Sequence, residues 1–229
     1  MIKAIKEIPF LEIDSIPALI KDFLNERLSD YKENLFSDAN IEKQIEKKSR
    51  LFTSEKRQIL VDAFERQYKK LNLTELQQKN LSLLQKESTF TIVTGHQLNL
   101  FSGPVFFIYK ILQTIKTAEY ITTRLPQYHF VPIFWMATED HDFEEINHFR
   151  TQETYYEIKG KSGGAVGRIQ LEDQFFIQNF EDEFKDSVYG TELIRWMKEA
   201  YKSGNTLAEA TRILVQHIFG EYGLLCIDG

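Results

Sequence analysis

Four shortages mark this chain before any motif does. Glycine is absent from the first 94 residues. The whole sequence holds 11 Gly and 5 Pro in 229 residues, well under the roughly 12% usual for the pair. So few turn residues exclude a many-stranded β-sandwich and favour long helices. A single cysteine, Cys226, excludes an intrachain disulfide framework and a cysteine-based zinc site, and fits a reducing compartment. The apolar runs, such as Phe130 to Ala137, are far shorter than the ~18 residues a membrane helix needs. Glu7, Glu12 and Asp14 interrupt any signal-peptide core after Lys3 and Lys6. Basic charge is also short: the net charge is -6, which gives no general affinity for nucleic acid or anionic membrane. The expectation is a soluble, cytoplasmic protein with no nucleic-acid or membrane partner.

Core material is plentiful, with 18 Phe and 10 Tyr and a 42% hydrophobic share. The glycine-free part reads as helices. Ile16, Leu19, Ile20, Phe23, Leu24 and Leu28 recur at helical spacing behind Ser15 and Pro17. Ile59, Leu60, Ala63, Phe64, Tyr68 and Leu71 form a second stripe. Thr74 with Gln77 is a capping box for a third helix carrying Leu76, Leu83 and Leu84. The basic stretch from Lys43 to Arg57, interleaved with Glu42, Glu46 and Glu55, reads as a solvated helix face.

At residue 89 the period changes. Thr89 to Val93 is a β-rich run followed by the polar loop Thr94-Gly95-His96-Gln97. A helix opens near Gly103-Pro104, with Val105, Ile108, Tyr109, Leu112 and Ile115 as its expected buried face. Phe130 to Met136 is a buried strand, and Pro132 suits a strand start or an edge. Strand, helix, strand in about 50 residues is a βαβ unit with parallel strands. Tyr155 to Ile158 and Val166 to Leu171 look like a hairpin around the glycine-rich segment 160–167. Helical patterns follow at Thr191 to Tyr201 and Leu207 to Phe219, then a strand at Tyr222 to Asp228. The division this implies is a helical region at 1–88 and an α/β core at 89–229, with an inserted connecting segment at about 150–205.

Ligands of parallel α/β sheets bind beyond the carboxyl ends of the strands, and two polar clusters sit there. Thr94, Gly95, His96 and Gln97 lead to Gly103 at a helix start, which favours an anionic group. Glu139, Asp140, His141 and Asp142 continue to Glu144, Glu145, Asn147 and His148. With adjacent strands, His96 and His141 line one cleft. For a metal, His141 and His148 are about two helical turns apart, too far to share one ion. Glu144 and His148 have the right spacing, but the full H-E-x-x-H arrangement is missing; no metal is expected. Gly160-Lys161-Ser162 mimics the end of a P-loop, yet Tyr155 stands where its first glycine belongs. Lys161 and Arg168 remain within reach of a substrate. His129, His217 and Cys226 read as structural, Cys226 as an inert core thiol.

The run Thr94-Gly95-His96-Gln97 through Phe101, Gly103-Pro104 and Tyr109-Lys110 resembles the cysteine ligase family of bacillithiol biosynthesis. So do Pro132, Phe134-Trp135, Ala137, Glu139 to Phe143 and Glu145 to His148, with weaker echoes in Val166-Gly167-Arg168, Thr206-Leu207-Ala208 and Phe219-Gly220. The resemblance covers essentially this whole chain and the N-terminal part of the family. It implies a Rossmann-like parallel sheet related to class I aminoacyl-tRNA synthetases, with an N-terminal helical region and an inserted β-hairpin and helical segment. It implies addition of cysteine to glucosaminyl-malate, the last step of bacillithiol synthesis. The His96 loop is similar to the synthetases' His-x-Gly-His signature but holds one histidine, so ATP enters by analogy alone.

On that reading His96, Asp140 and His141 are catalytic candidates. Thr94, Gly95, Gln97, Gly103, Asp142, Asn147 and His148 are substrate-binding candidates. A metal-assisted hydrolase using the 139–148 cluster and a helical interaction module are the rivals. Because the sequence stops on an apolar strand, Leu224, Leu225 and Ile227 are expected to be exposed, favouring self-association and a catalytically incomplete chain. A homo-oligomer is expected of the complete protein.

Overall fold

The computed structural model describes residues 6–160, 163–172 and 175–229; Lys3, Lys161 and Ser162 lie outside them. The chain divides into two units, Met1–Phe52 and Thr53–Gly229.

In the first unit the stripe from Ile16 to Leu28 yields only a short helix, α1 (Ala18–Leu24), with Leu19, Ile20 and Leu24 exposed. Glu26 turns left-handed just beyond it (φ 57°), which stops the helix. α2 (Asp38–Leu51) starts at Ser37, whose hydroxyl accepts the Asn40 N–H. Its lysines are exposed, as a solvated face requires.

The second unit opens with α3 (Ser54–Tyr68) and α4 (Glu75–Leu83). α3 is rotated from the expected stripe: Val61, Phe64 and Tyr68 are buried while Ile59 is exposed. Arg57 departs from the solvated reading of its basic stretch. It is buried and donates to the carbonyls of Leu84, Thr89 and Glu87 at 3.1, 2.9 and 3.3 Å. The Thr74–Gln77 capping box forms as expected.

Next come β1 (Thr89–His96), α5 (Val105–Arg124) and β2 (His129–Met136). β1 runs three residues past Val93, so Thr94, Gly95 and His96 belong to the strand and not to a loop. Along α5 the buried residues are Phe107, Ile111, Ile115, Ala118 and Ile121, whereas Val105 and Tyr109 are exposed, a rotation of the expected face. The remaining elements are α6 (Phe143–Ile146), β3 (His148–Arg150), β4 (Tyr155–Glu157), α7 (Phe175–Phe184), α8 (Gly190–Ala200), α9 (Leu207–Phe219) and β5 (Leu225–Asp228). No helix among the described residues is long and apolar enough to cross a membrane.

β1, β2 and β5 form one parallel sheet in the order β1-β2-β5, the α/β arrangement that the βαβ reading predicts. Pro132 therefore lies in the central strand, not at an edge. The pairing with β5 begins only at Ile133, one residue beyond it, so the proline precedes the doubly paired stretch. The hairpin is also not the expected one: β4 pairs antiparallel with β3. Val166–Arg168 is instead a 3-10 turn, and the residues after it bond to the lead-in of α9 through Leu207 N–H to Ile169 and Leu171 N–H to Asn205.

The outer edge of β5 is covered by side chains. Gln77 Nε2 donates to the Leu224 carbonyl (2.7 Å), the Tyr68 hydroxyl accepts from Cys226 N–H (2.7 Å) and Gln67 Oε1 accepts from Asp228 N–H (3.0 Å). Helices α3 and α4 thus satisfy the backbone groups that an edge strand leaves open. Leu224 and Leu225 are buried, which corrects the expectation of an exposed apolar end; Ile227 is partly buried.

Candidate functional site

His96 and Met136, paired in register, close their strands at the same end of the sheet. The chain after His96 is pinned by Leu98 and Leu100, both fully buried, and by the Leu100 N–H, which donates to the Ile146 carbonyl at 2.9 Å. Gly103 takes φ 57°, and a Cβ there would collide with Asn99. Its glycine serves the backbone turn into α5. Asn99 in turn lies against His96.

The His96 ring is partly buried and packs edge-on against Phe107, with centroids 5.6 Å apart. Two groups meet its Nδ1: the Gln97 carbonyl at 3.1 Å and Asn99 Nδ2 at 3.0 Å. The first suits a proton on Nδ1 and the second a proton on Nε2, so either tautomer has a partner. Burial holds the imidazole below its ordinary pKa; the Gln97 carbonyl opposes this and the Lys110 ammonium adds to it. Lys110 Nζ donates to the Gly95 carbonyl at 2.6 Å.

Beyond β2, Asp140 Oδ1 accepts the N–H groups of His141 (2.7 Å) and Asp142 (3.4 Å). Its Oδ2 accepts from Gln97 Nε2 at 2.9 Å, and the same amide donates to Glu145 Oε2 at 3.0 Å. The Gln97 bond, helped by the His141 and Asp142 N–H groups and opposed by burial, leaves the Asp140 carboxyl below the usual range. His141 is highly exposed, 3.8 Å from Asp140 and 3.6 Å from Asp142. Ligand atoms of Asp140, His141 and Asp142 lie within 4.8 Å of one another, a spacing a divalent cation fits.

Of the predicted residues, Gln97, Asp140, His141 and Asp142 are therefore brought together, with His96 beside them through Gln97. Thr94 and Gly95 stand opposite Phe134 and Trp135 within the sheet. Asn147 and His148 belong to another recess, of about 440 Å³, shared with Phe143, Glu144 and Tyr155. There His148 Nδ1 meets Asn147 Oδ1 at 2.8 Å and the imidazole stacks on Tyr155. Glu145, which the sequence placed only as a neighbour, joins the Gln97 cluster directly. A third feature escaped the sequence almost entirely: a recess of about 550 Å³ at the ends of β2 and β5, lined by Thr138, Glu139, Arg168 and Asp228 among others. Glu139 and Arg168 were its legible charged members, though nothing in the sequence joined them.

A family model described as the N-terminal Rossmann-like domain of bacillithiol biosynthesis BshC matches residues 4–229. A relative from Flavobacterium psychrophilum named "Putative cysteine ligase BshC" is 45% identical over 219 residues, covering 92% of this chain and 40% of the relative. One of the same name from Flavobacterium johnsoniae is 39% identical over 213 residues, with the same coverage. Another from Christiangramia forsetii is 36% identical over 234 residues, covering 96% of this chain and 42% of that protein. The chain spans about two fifths of the length of these curated relatives.

Proposed function

The chain belongs to the family of BshC N-terminal Rossmann-like domains of bacillithiol biosynthesis, and from that premise we propose that it carries part of the site of a cysteine ligase joining cysteine to glucosaminyl-malate. The observation that carries the reading is the Gln97 amide bridging Asp140 and Glu145, which gathers carboxylates at the ends of two parallel strands, where α/β enzymes bind ligands.

The product requires a new C–N bond between the cysteine carboxyl carbon and the sugar nitrogen, formed as a carboxyl C–O bond breaks and its oxygen departs, on the activating group or, overall, as water. Its formation needs a neutral amine, an activated carboxyl group and a proton acceptor. In this scheme Asp140, Asp142 and Glu145 receive the substrate ammonium. His96, whose burial favours the neutral imidazole, accepts the proton that the amine gives up; exposed His141 exchanges it with solvent. Activation of the carboxyl group is the chemistry that ATP would supply by analogy with the synthetases. Lys110 and the start of α5 suit its phosphates.

The test is thiol product formation by His96→Ala and Asp140→Asn variants, in a protein of the relatives' length, with and without ATP. The reading expects each variant to lose about 100-fold or more; near-normal rates in both would remove these residues from the mechanism. A metal-assisted hydrolase is favoured only by the Asp140–His141–Asp142 spacing. Stoichiometric metal retained through dialysis, with activity lost on chelation, would support it.

A further inference from the structure

A molecule that joins an amino sugar to malate carries opposite charges at its two ends: an ammonium and a pair of carboxylates. The cluster around Gln97 offers carboxylates, which suit the first end and repel the second. The counterpart is the recess at the ends of β2 and β5, which Thr138 and Glu139 line just before Asp140.

Charges in that recess partly cancel. Lys70 pairs with Glu209 at 2.9 Å and Arg212 with Asp228. Arg66, Lys69 and Arg168 also line it, with no side-chain partner among the described residues, and the one acidic lining residue outside those pairs is Glu139. Three cations against one carboxylate leave an excess of two positive charges, which matches a dianion.

The placement of Arg168 is built into the fold. Gly167 N–H donates to the Thr138 carbonyl (3.0 Å) and Val166 N–H to the Asp140 carbonyl (2.7 Å). Gly167 packs so closely on Thr138 that a Cβ would collide with it. The 166–168 turn is therefore seated on residues 138–140, the segment that also carries the acidic cluster. Residues 138–140 thus give Thr138 and Glu139 to the basic recess and Asp140 to the acidic cluster.

We infer that this recess takes the dicarboxylate end of the substrate, with Arg168, Arg66 and Lys69 as its cationic partners, while the amine end faces Asp140. The inference rests on the ligase reading and assigns its second substrate half. A phosphate is the other dianion with the same charge chemistry, and the experiment separates the two.

Malate, lactate, inorganic phosphate and glucosamine are each titrated into the chain by calorimetry, with wild type, Arg168→Ala, Arg66→Ala and Arg168→Lys. Both arginines are exposed, and circular dichroism verifies that the variants fold. Malate should bind more tightly than lactate and phosphate. Each alanine variant should weaken malate about tenfold, the size expected for one charge-assisted bond. Arg168→Lys should restore part of the loss, and glucosamine binding should not change. Malate binding equal in wild type and Arg168→Ala, absent from folded wild type, or weaker than phosphate binding would overturn the inference.

A ligase assay in a protein of the relatives' length separates this from the underlying reading. There Arg168→Ala should raise KM for glucosaminyl-malate about tenfold and leave KM for cysteine unchanged. Product formed with both KM values unchanged overturns the recess and spares the ligase. No product from wild type, with malate binding still dependent on Arg168, overturns the ligase and supports a dicarboxylate site.

Discussion

Gln97 and Asp140 are joined by one hydrogen bond of 2.9 Å, and that bond ties the segment after β1 to the loop after β2. The second hydrogen of the same amide goes to Glu145, so the two carboxylates are held around one donor. An amide suits this place because it donates twice without adding charge.

Gln97→Glu replaces that donor with a third carboxylate. The Asp140 pKa, now lowered chiefly by the Gln97 bond, should rise, because a like charge disfavours ionisation. Carboxyl carbon NMR of Asp140 across a pH series measures this directly. An unchanged midpoint would mean that Gln97 does not hold Asp140 in solution.

For His96 the sign follows from burial. Its folded-state pKa is lowered, while the unfolded chain titrates near the ordinary ~6.5. Between those values the unfolded state binds the extra proton, so folding stability falls as pH drops through about 6.5 and levels off below the lowered folded value. Urea midpoints at several pH values should show this loss in wild type and a shallower one in His96→Gln. Identical pH slopes in the two proteins would contradict it.

Arg57 donates to three backbone carbonyls from a buried position. Arg57→Met should cost about 3 kcal/mol, because it removes charge-assisted bonds and strands buried acceptors. Arg57→Lys should recover little, since an ammonium cannot reproduce the planar fork. Urea denaturation measures both, and a loss below ~1 kcal/mol for Arg57→Met would show that the carbonyls find other donors.

What the sequence revealed and what it hid differ in range. The Thr74–Gln77 cap, the β1–α5–β2 unit and the polar strand ends depend on neighbours a few residues apart, and each was legible. The face of α5 was not: Phe107 and Ile111 are buried in place of Val105 and Tyr109, a choice made by the sheet beneath the helix. The partner of the 155–158 strand was hidden for a similar reason. Val166 to Leu171 has strand-like composition, but its backbone bonds go to β2's end and the start of α9. The basic recess draws on α3, the 166–168 turn, α9 and β5, and no local pattern announces such a gathering. The glycine-free composition likewise runs past the boundary at residue 52, whereas α3 and α4 join the second unit through their bonds to the edge of β5.

Cys226 should be chemically silent while the chain is folded. Burial pushes its thiol up to about 12, against ~8.5 for a free cysteine. At pH 8 the thiolate fraction is then on the order of a thousandfold smaller than in the unfolded chain. A chromogenic disulfide reagent should report slow labelling in buffer and rapid labelling in urea. Rapid labelling of the folded protein would contradict the burial of β5.

Product analysis by mass spectrometry tests the central claim most directly. Glucosaminyl-malate and cysteine are incubated, with and without ATP, with a folded protein that carries this chain at its relatives' length. The account predicts a thiol whose mass equals the sum of the two substrates less one water, with its amount sharply reduced by Asp140→Asn. No such thiol under either condition, or an undiminished amount from the Asp140→Asn protein, would contradict it.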